Sequence, residues 1–170
     1  MDLAAVVAVL DALDAAEVRY WVGGGWGVDI LAGRQTRDHR DLDISIDHTA
    51  RSRTVTALAD LGYTMETDQF PSRAEFAAPG VGWVDVHPVE LDDRLDDNGG
   101  GRQHDLAGGW FEYPPGCFTT AVIDGRRVPC LTVRQQLVFH SFYEPRPVDL
   151  HDIALLTELT AVGQYDPHSP

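Results

Sequence analysis

Lysine is missing altogether: all 13 basic residues of this 170-residue sequence are arginine. That absence excludes Schiff-base chemistry on lysine and the phosphate-binding lysine of a Walker loop. Positive charge is scarce in general, with 27 acidic residues against those 13 and a formal net charge of -14. Sequence-independent nucleic-acid binding needs clustered cations, so a nucleic-acid partner is not expected. A field of this sign attracts metal ions and amine-bearing small molecules instead. There are only two cysteines, Cys117 and Cys130, and they lack any metal-ligand spacing. They read as reduced thiols of a cytoplasmic protein. No apolar run approaches the ~18 residues of a membrane span. The amino-terminal stretch has no basic region and is interrupted by Asp11 and Asp14, so it does not read as a signal peptide.

What is present has an ordered pattern. Leu3, Val6, Val7, Leu10 and Leu13 recur at helical spacing behind a candidate N-cap, Asp2. "VRYWV" reads as a short strand, and "WGVDILAG" as a short helix closed by Gly33. "RDLDISID" alternates, with Leu42, Ile44 and Ile46 on one face and Asp41, Asp43, Ser45 and Asp47 on the other. A second amphipathic helix follows, with Val55, Leu58 and Ala59 inward and Gly62 at its end. Strands are expected in "YTMET", "RAEFAA" and "GWVDVHPVEL", then a long polar surface loop from Asp92 to Gly109. A hairpin turning at Asp124-Gly125 precedes two helices, the first opened by a Thr132–Gln135 capping box. The last residues, "GQYDPHSP", read as frayed. The order of elements suggests an α/β or α+β sheet domain over 1–130 and a carboxy-terminal helical segment over 131–170.

Three glycines, Gly23 to Gly25, stand between the first strand and the helix that follows it. They allow a sharp turn and close approach of the backbone to a ligand, and the helix start offers unpaired N–H groups to an anion. An ordinary turn is the alternative. A dinucleotide fingerprint is excluded because Val28 stands where the third glycine should be. Asp41 and Asp43, on one strand face roughly 7 Å apart, suit a magnesium ion shared with phosphates. A solvated strand face would show the same pattern. Asp85 is harder to dismiss, because it lies between Val84 and Val86 in an apolar run, with His87 on its own face. If those two strands are neighbours, three aspartates converge near the glycines, as metal-assisted nucleotidyl transfer requires.

"GGW", Asp-Leu-Asp and the later aspartate together resemble the active-site signature of DNA polymerase beta-like nucleotidyltransferases. "YWVGGGWGVDILAGRQTRDHRDLDISID", "PSRAEF", "GWVDVHPVEL", "RRVPCL" and "QQLVFHSFYE" are similar to the small single-domain lincosamide nucleotidyltransferases. They resemble the aminoglycoside 2''-adenylyltransferases more distantly. The resemblance implies an α+β fold, with a mixed sheet flanked by helices and a carboxy-terminal helical segment. It further implies transfer of AMP, or another nucleoside monophosphate, from ATP or another triphosphate to a hydroxyl of a small antibiotic. Gly24, Gly25 and the Trp26 helix start would hold the triphosphate, Asp41 and Asp43 would bind Mg²⁺, and Asp85 would be third ligand and general base. Arg37 and His39 would either neutralise phosphate or brace their loop by ion pairs. Arg73 and His87 are candidate substrate contacts, whereas His140 and His151 read as structural and Arg146, Asp149 and Asp152 as a charge-paired helix start. A homodimer completing the acceptor pocket is implied too. The alternatives are an aminoglycoside acceptor, a protein or tRNA acceptor (the net charge disfavours tRNA), and a non-catalytic nucleotide-binding or antitoxin-like module on the same fold.

Overall fold

The structure, a computed structural model, describes residues 1–92 and 99–161. The frayed end expected at "GQYDPHSP" lies outside the described residues. Helix α1 (Leu3–Ala15) starts where Asp2 accepts a hydrogen bond from the Ala5 N–H at 2.8 Å, and it buries Val6, Val9, Leu10 and Leu13. Strand β1 (Tyr20–Val22) leads into α2 (Gly24–Ala32), which stops at Gly33 in the left-handed conformation. In β2 (Asp41–Asp47) Leu42, Ile44 and Ile46 are fully buried, as alternation requires. A 3₁₀ turn, His48–Ala50, precedes α3 (Arg51–Asp60). The inner face of α3 is Thr54, Ala57 and Leu58, with Val55 half-buried. Ala59 is exposed, which corrects the expected face by a fraction of a turn.

Strands β3 (Thr64–Gln69), β4 (Arg73–Ala78) and β5 (Gly82–Leu91) follow as expected. The stretch expected to be a loop up to Gly109 instead contains β6 (Gly101–His104), which pairs antiparallel with β7 (Trp110–Tyr113) and with the end of β5. Its residues 93–98 lie outside the described part. Strands β8 (Phe118–Ile123) and β9 (Arg126–Leu131) form the expected hairpin. Asp124 and Gly125 both have positive φ, 49° and 76°, the signature of a type I′ turn. Helix α4 (Val133–His140) starts at Thr132, whose hydroxyl accepts from the Gln135 N–H. The reciprocal half of the capping box is not made, because the Gln135 side chain donates to the Glu112 carbonyl. Helix α5 (Pro147–Ala161) completes the described chain.

The sheet is mixed, with the order β3-β4-β5-β2-β1-β9-β8, and the β6–β7 hairpin extends from the far half of β5. Strands β2 and β5 are parallel neighbours, and their register sets Asp43 beside Asp85 and Ser45 beside His87. The fold is therefore α+β. Helix α2 packs against β2, β8 and β9 on one side and against α4 and α5 on the other, while α1 packs on α3. Leu156 and Leu159 of α5 belong to the same core as Val22, Trp26 and Ile44. Among the described residues no helix is long and apolar enough to cross a membrane. Cys117 and Cys130 are free and buried, and burial pushes both thiols up to about 12, so they are inert at neutral pH.

Candidate active site

Above the polar face of β2 lies a cavity of about 510 Å³. Its floor holds Asp41, Asp43, Ser45 and His87, one side is the Gly23–Gly25 helix start, and α4 and α5 form the opposite wall. The glycines there are required by the chain itself. Gly24 has φ +55°, and a Cβ at that position would stand 1.9 Å from Asp43 Oδ2. A Cβ on Gly25 would stand 2.3 Å from the Arg37 guanidinium and 2.6 Å from His39 Nδ1. The glycines thus admit an acidic and a basic side chain against the start of α2. Gly24→Ala should cost about 1–3 kcal/mol from backbone conformation alone, and it should displace Asp43 as well. A variant with unchanged urea unfolding and intact activity would contradict this packing.

The acidic residues separate into two groups. Asp43, Asp85 and His87 offer ligand atoms all within 4.8 Å of one another, the one such cluster among the described residues. His87 Nε2 lies 3.7 Å from Asp43 Oδ1 and 3.7 Å from Asp85 Oδ2. Asp85 Oδ1 is buried without a hydrogen-bond partner, whereas its Oδ2 accepts from Arg73 Nη1 at 3.1 Å. Burial raises the Asp85 carboxyl above the ordinary range and Asp43 adds to this, against the opposing pull of His87 and Arg73. At His87 burial disfavours the charged form, but Asp43 and Asp85 outweigh it, so its pKa is raised. An acidic pair with an orphaned buried oxygen fits a divalent cation. Asp41, expected in the same set, stands apart: its carboxylate accepts from Arg40 at 2.9 and 3.1 Å. Asp85 itself does not line the cavity, although Asp43 and His87 beside it do.

Arg37, His39 and Trp26 are where the contacts differ most from the phosphate-binding expectation. Arg37 lines the cavity, but its guanidinium forks onto Asp152, with Nε to Oδ1 at 2.9 Å and Nη2 to Oδ2 at 2.6 Å. His39 is buried and donates from Nε2 to Asp29 Oδ2 at 2.5 Å. Asp29 also accepts from the Thr36 hydroxyl at 2.5 Å and from the Thr36 N–H at 3.0 Å. Burial pushes Asp29 up, but the bonds from His39 and Thr36 prevail, and its pKa is lowered. These contacts are those of the bracing alternative. The Trp26 ring is wholly buried against His39, with centroids 4.6 Å apart, so its side chain belongs to the core and not to the cavity.

The opposite wall was not legible in the sequence. Phe111, Tyr113, Phe139 and Phe142 give it an aromatic surface, with Phe111 and Phe142 stacked at 5.6 Å. Beside them Tyr143 accompanies His140 and Asp149 at 2.9 and 3.3 Å. Arg146 donates to Asp149 from Nε at 2.8 Å and from Nη2 at 3.0 Å, the charge-paired helix start expected there, whereas Asp152, expected in the same set, pairs with Arg37 instead. Those bonds hold the Asp149 carboxyl down to about 2. A depressed carboxyl stabilises the fold above its unfolded value near 4 and loses that contribution as pH falls through about 2. Unfolding midpoints measured from pH 5 to pH 2 should therefore decline less steeply in Asp149→Asn than in the parent. His151, also read as structural, meets the Thr36 hydroxyl at 3.0 Å.

A mixed sheet that sets two carboxylates side by side on parallel strands, beside a glycine-rich helix start, is the arrangement expected from the nucleotidyltransferase resemblance. Residues 5–156 match the family model described as aminoglycoside-2''-adenylyltransferase. The chain belongs to that family. It is 36% identical over 152 residues to a lincosamide resistance protein of Staphylococcus haemolyticus, covering 89% of this chain and 92% of the relative. It is 35% identical over 148 residues to a 2''-aminoglycoside nucleotidyltransferase of Escherichia coli, covering 83% and 75%. Among solved structures it is similar to the lincomycin-bound lincosamide antibiotic adenylyltransferase LnuA, with a TM-score of 0.82 and 34% identity over 94% of this chain and 98% of that one.

Proposed function

We propose that this nucleotidyltransferase moves AMP from ATP to a hydroxyl of a lincosamide, with Mg²⁺ at Asp43 and Asp85. The observation that carries the reading is the Asp43–Asp85 pair on adjacent parallel strands at the edge of the cavity. Lincosamide is favoured as acceptor by the 36% identity that extends over nearly the whole of both chains. The triphosphate lies along the start of α2, where N–H groups of the Gly24–Gly25 segment face the cavity. Bound at the acidic pair, Mg²⁺ supplies charge neutralisation for the phosphates. Asp41, at the same cavity edge, gives only its Oδ2 to the exposed pair with Arg40 and joins Asp43 and Asp85 as the third carboxylate of the metal site.

The acceptor hydroxyl approaches the acidic pair, where Arg73 holds the Asp85 carboxylate. Its oxygen forms a bond to the α-phosphorus while the bond to the bridging oxygen of pyrophosphate breaks. The hydroxyl proton passes to Asp85, whose burial makes it a stronger base than a solvated aspartate. Arg37 and His39 serve the nucleotide by holding the loop behind α2, and His87 and Arg73 by orienting the acidic pair. The nucleotidyltransferase core spans 1–130, and the described part of 131–170, up to Ala161, is a helical segment packed on it. The Gln136 amide, which donates to the Gly24 carbonyl at 3.2 Å, supports one folded unit. Exposed Phe142, Val148 and Leu150 on the helical segment support a homodimer, which light scattering reads directly. The free thiols and the use of ATP suit a cytoplasmic enzyme.

The experiment is a screen of lincomycin, clindamycin and aminoglycosides with ATP and MgCl₂, read by product mass and pyrophosphate release. Adenylylated lincosamide is expected. Adenylylation of aminoglycosides alone would move the acceptor to the other branch of the family. ATP binding without turnover on any acceptor would overturn the enzymatic reading in favour of a binding module.

A further inference from the structure

His87 is joined on its other side to a buried chain of polar groups that the transfer reaction does not use. The Gln103 amide nitrogen lies 3.1 Å from the Ser72 carbonyl oxygen and 3.0 Å from His87 Nδ1. Its amide oxygen accepts from the Tyr113 hydroxyl at 2.9 Å, and that hydroxyl is 3.0 Å from Ser45 Oγ. Gln103, Ser45 and Tyr113 are all buried.

The donor inventory leaves one consistent assignment. A backbone carbonyl can only accept, so the Ser72 oxygen fixes which end of the Gln103 amide faces it. The reversed amide would set two carbonyl oxygens 3.1 Å apart and leave a buried N–H₂ against the tyrosine. With the orientation fixed, one amide proton goes to Ser72 and the other to His87 Nδ1. Nδ1 must then accept, and the ring's proton resides on Nε2. Nε2 is the atom equidistant from Asp43 and Asp85.

We propose that Gln103 is a positioning residue that fixes His87 in the Nε2-protonated tautomer, so that the imidazole faces Asp43 and Asp85 as a donor and is not a metal ligand. The proposal rests on the metal reading of the acidic pair for its second half only. A ring nitrogen that carries a proton has no lone pair for a cation, so the metal set here consists of oxygens, the donors Mg²⁺ prefers. A proton on Nδ1 would face the Gln103 N–H₂, leaving two donors opposed with no acceptor between them. His87 instead holds the two carboxylates at a fixed orientation from between them.

The test is long-range ¹H–¹⁵N correlation on the full chain labelled with ¹⁵N, with the His87 ring assigned by its loss in His87→Gln. In the neutral ring, recorded at alkaline pH, an unprotonated Nδ1 and a protonated Nε2 are expected, and a neutral ring protonated on Nδ1 overturns the proposal. In Gln103→Glu the new carboxylate accepts, so Nδ1 should become protonated. Gln103→Leu serves if the charged variant does not fold, and there too Nδ1 should gain a proton, wholly or in exchange. A His87 spectrum unchanged by loss of the amide would show that Gln103 does not set the tautomer. Metal addition completes the test: with saturating Mg²⁺ the protonated Nε2 signal of His87 should persist, and its loss on metal binding would make His87 a ligand. Asp43→Asn with undiminished Mn²⁺ binding would instead remove the metal reading and leave the tautomer assignment standing.

Discussion

Asp85→Asn should lower kcat by a factor of about 10²–10⁴, the contribution typical of a positioned general base, while leaving the fold intact. The amide matches the carboxylate in shape, so it keeps the place between Val84 and Val86 and still meets Arg73. What it loses is the capacity to take the acceptor proton and to contribute negative charge beside Asp43. The melting temperature should not fall, because burial is the largest influence on the Asp85 carboxyl and disfavours its charge. A neutral residue removes that cost. Rates with saturating lincosamide and ATP, measured alongside thermal unfolding, decide the matter. A near-parental kcat would take Asp85 out of the chemistry, and a collapsed fold would make it a structural group. Asp43→Asn should be as severe in rate, with Mn²⁺ binding weakened as well.

Arg37→Ala should destabilise the protein by about 3–5 kcal/mol, the scale for breaking a buried ion pair by removing one partner. Asp152 keeps only 2% of its side chain exposed and would be left without its two guanidinium bonds. The lower end of that range is expected, since Arg37 itself retains 22% exposure. The double variant Arg37→Met with Asp152→Leu should recover most of the loss, because an apolar pair requires no compensating charge. Urea unfolding of the two single variants and the double variant measures this. If Arg37 instead served the triphosphate directly, its loss would raise the KM for ATP and leave the unfolding midpoint in place. The two roles therefore give opposite patterns.

The elements that carry the acidic pair were legible because their signals are local. The alternation of Asp41 to Asp47 and the lone carboxylate in "GWVDVHPVEL" need no knowledge of distant residues, and parallel pairing of those strands brings Asp43 to Asp85. The partners of Arg37 and His39 were not legible in the same way. Asp152 is 115 residues from Arg37, and Asp29 is hidden on the buried side of a helix that reads as apolar. Asp41 pairs through one oxygen with its own neighbour Arg40, a local contact that strand geometry does not reveal. The β6–β7 hairpin was missed because two four-residue strands in a glycine-rich polar stretch have almost no periodicity to read. With it went Gln103, Phe111 and Tyr113, which give the cavity much of its character.

Strand β5 has ten residues and two sets of neighbours. Its first half lies between β4 and β2 and holds Asp85 in register, whereas its last two residues carry the hairpin. The acidic pair proposed for the chemistry and the hairpin that shapes much of the pocket wall are thus separate modules on one beam. Exchanging the hairpin between relatives can change which drug is accommodated while the alignment of the reacting groups stays in place. Such an architecture lets a resistance enzyme widen its substrate range through small, local grafts.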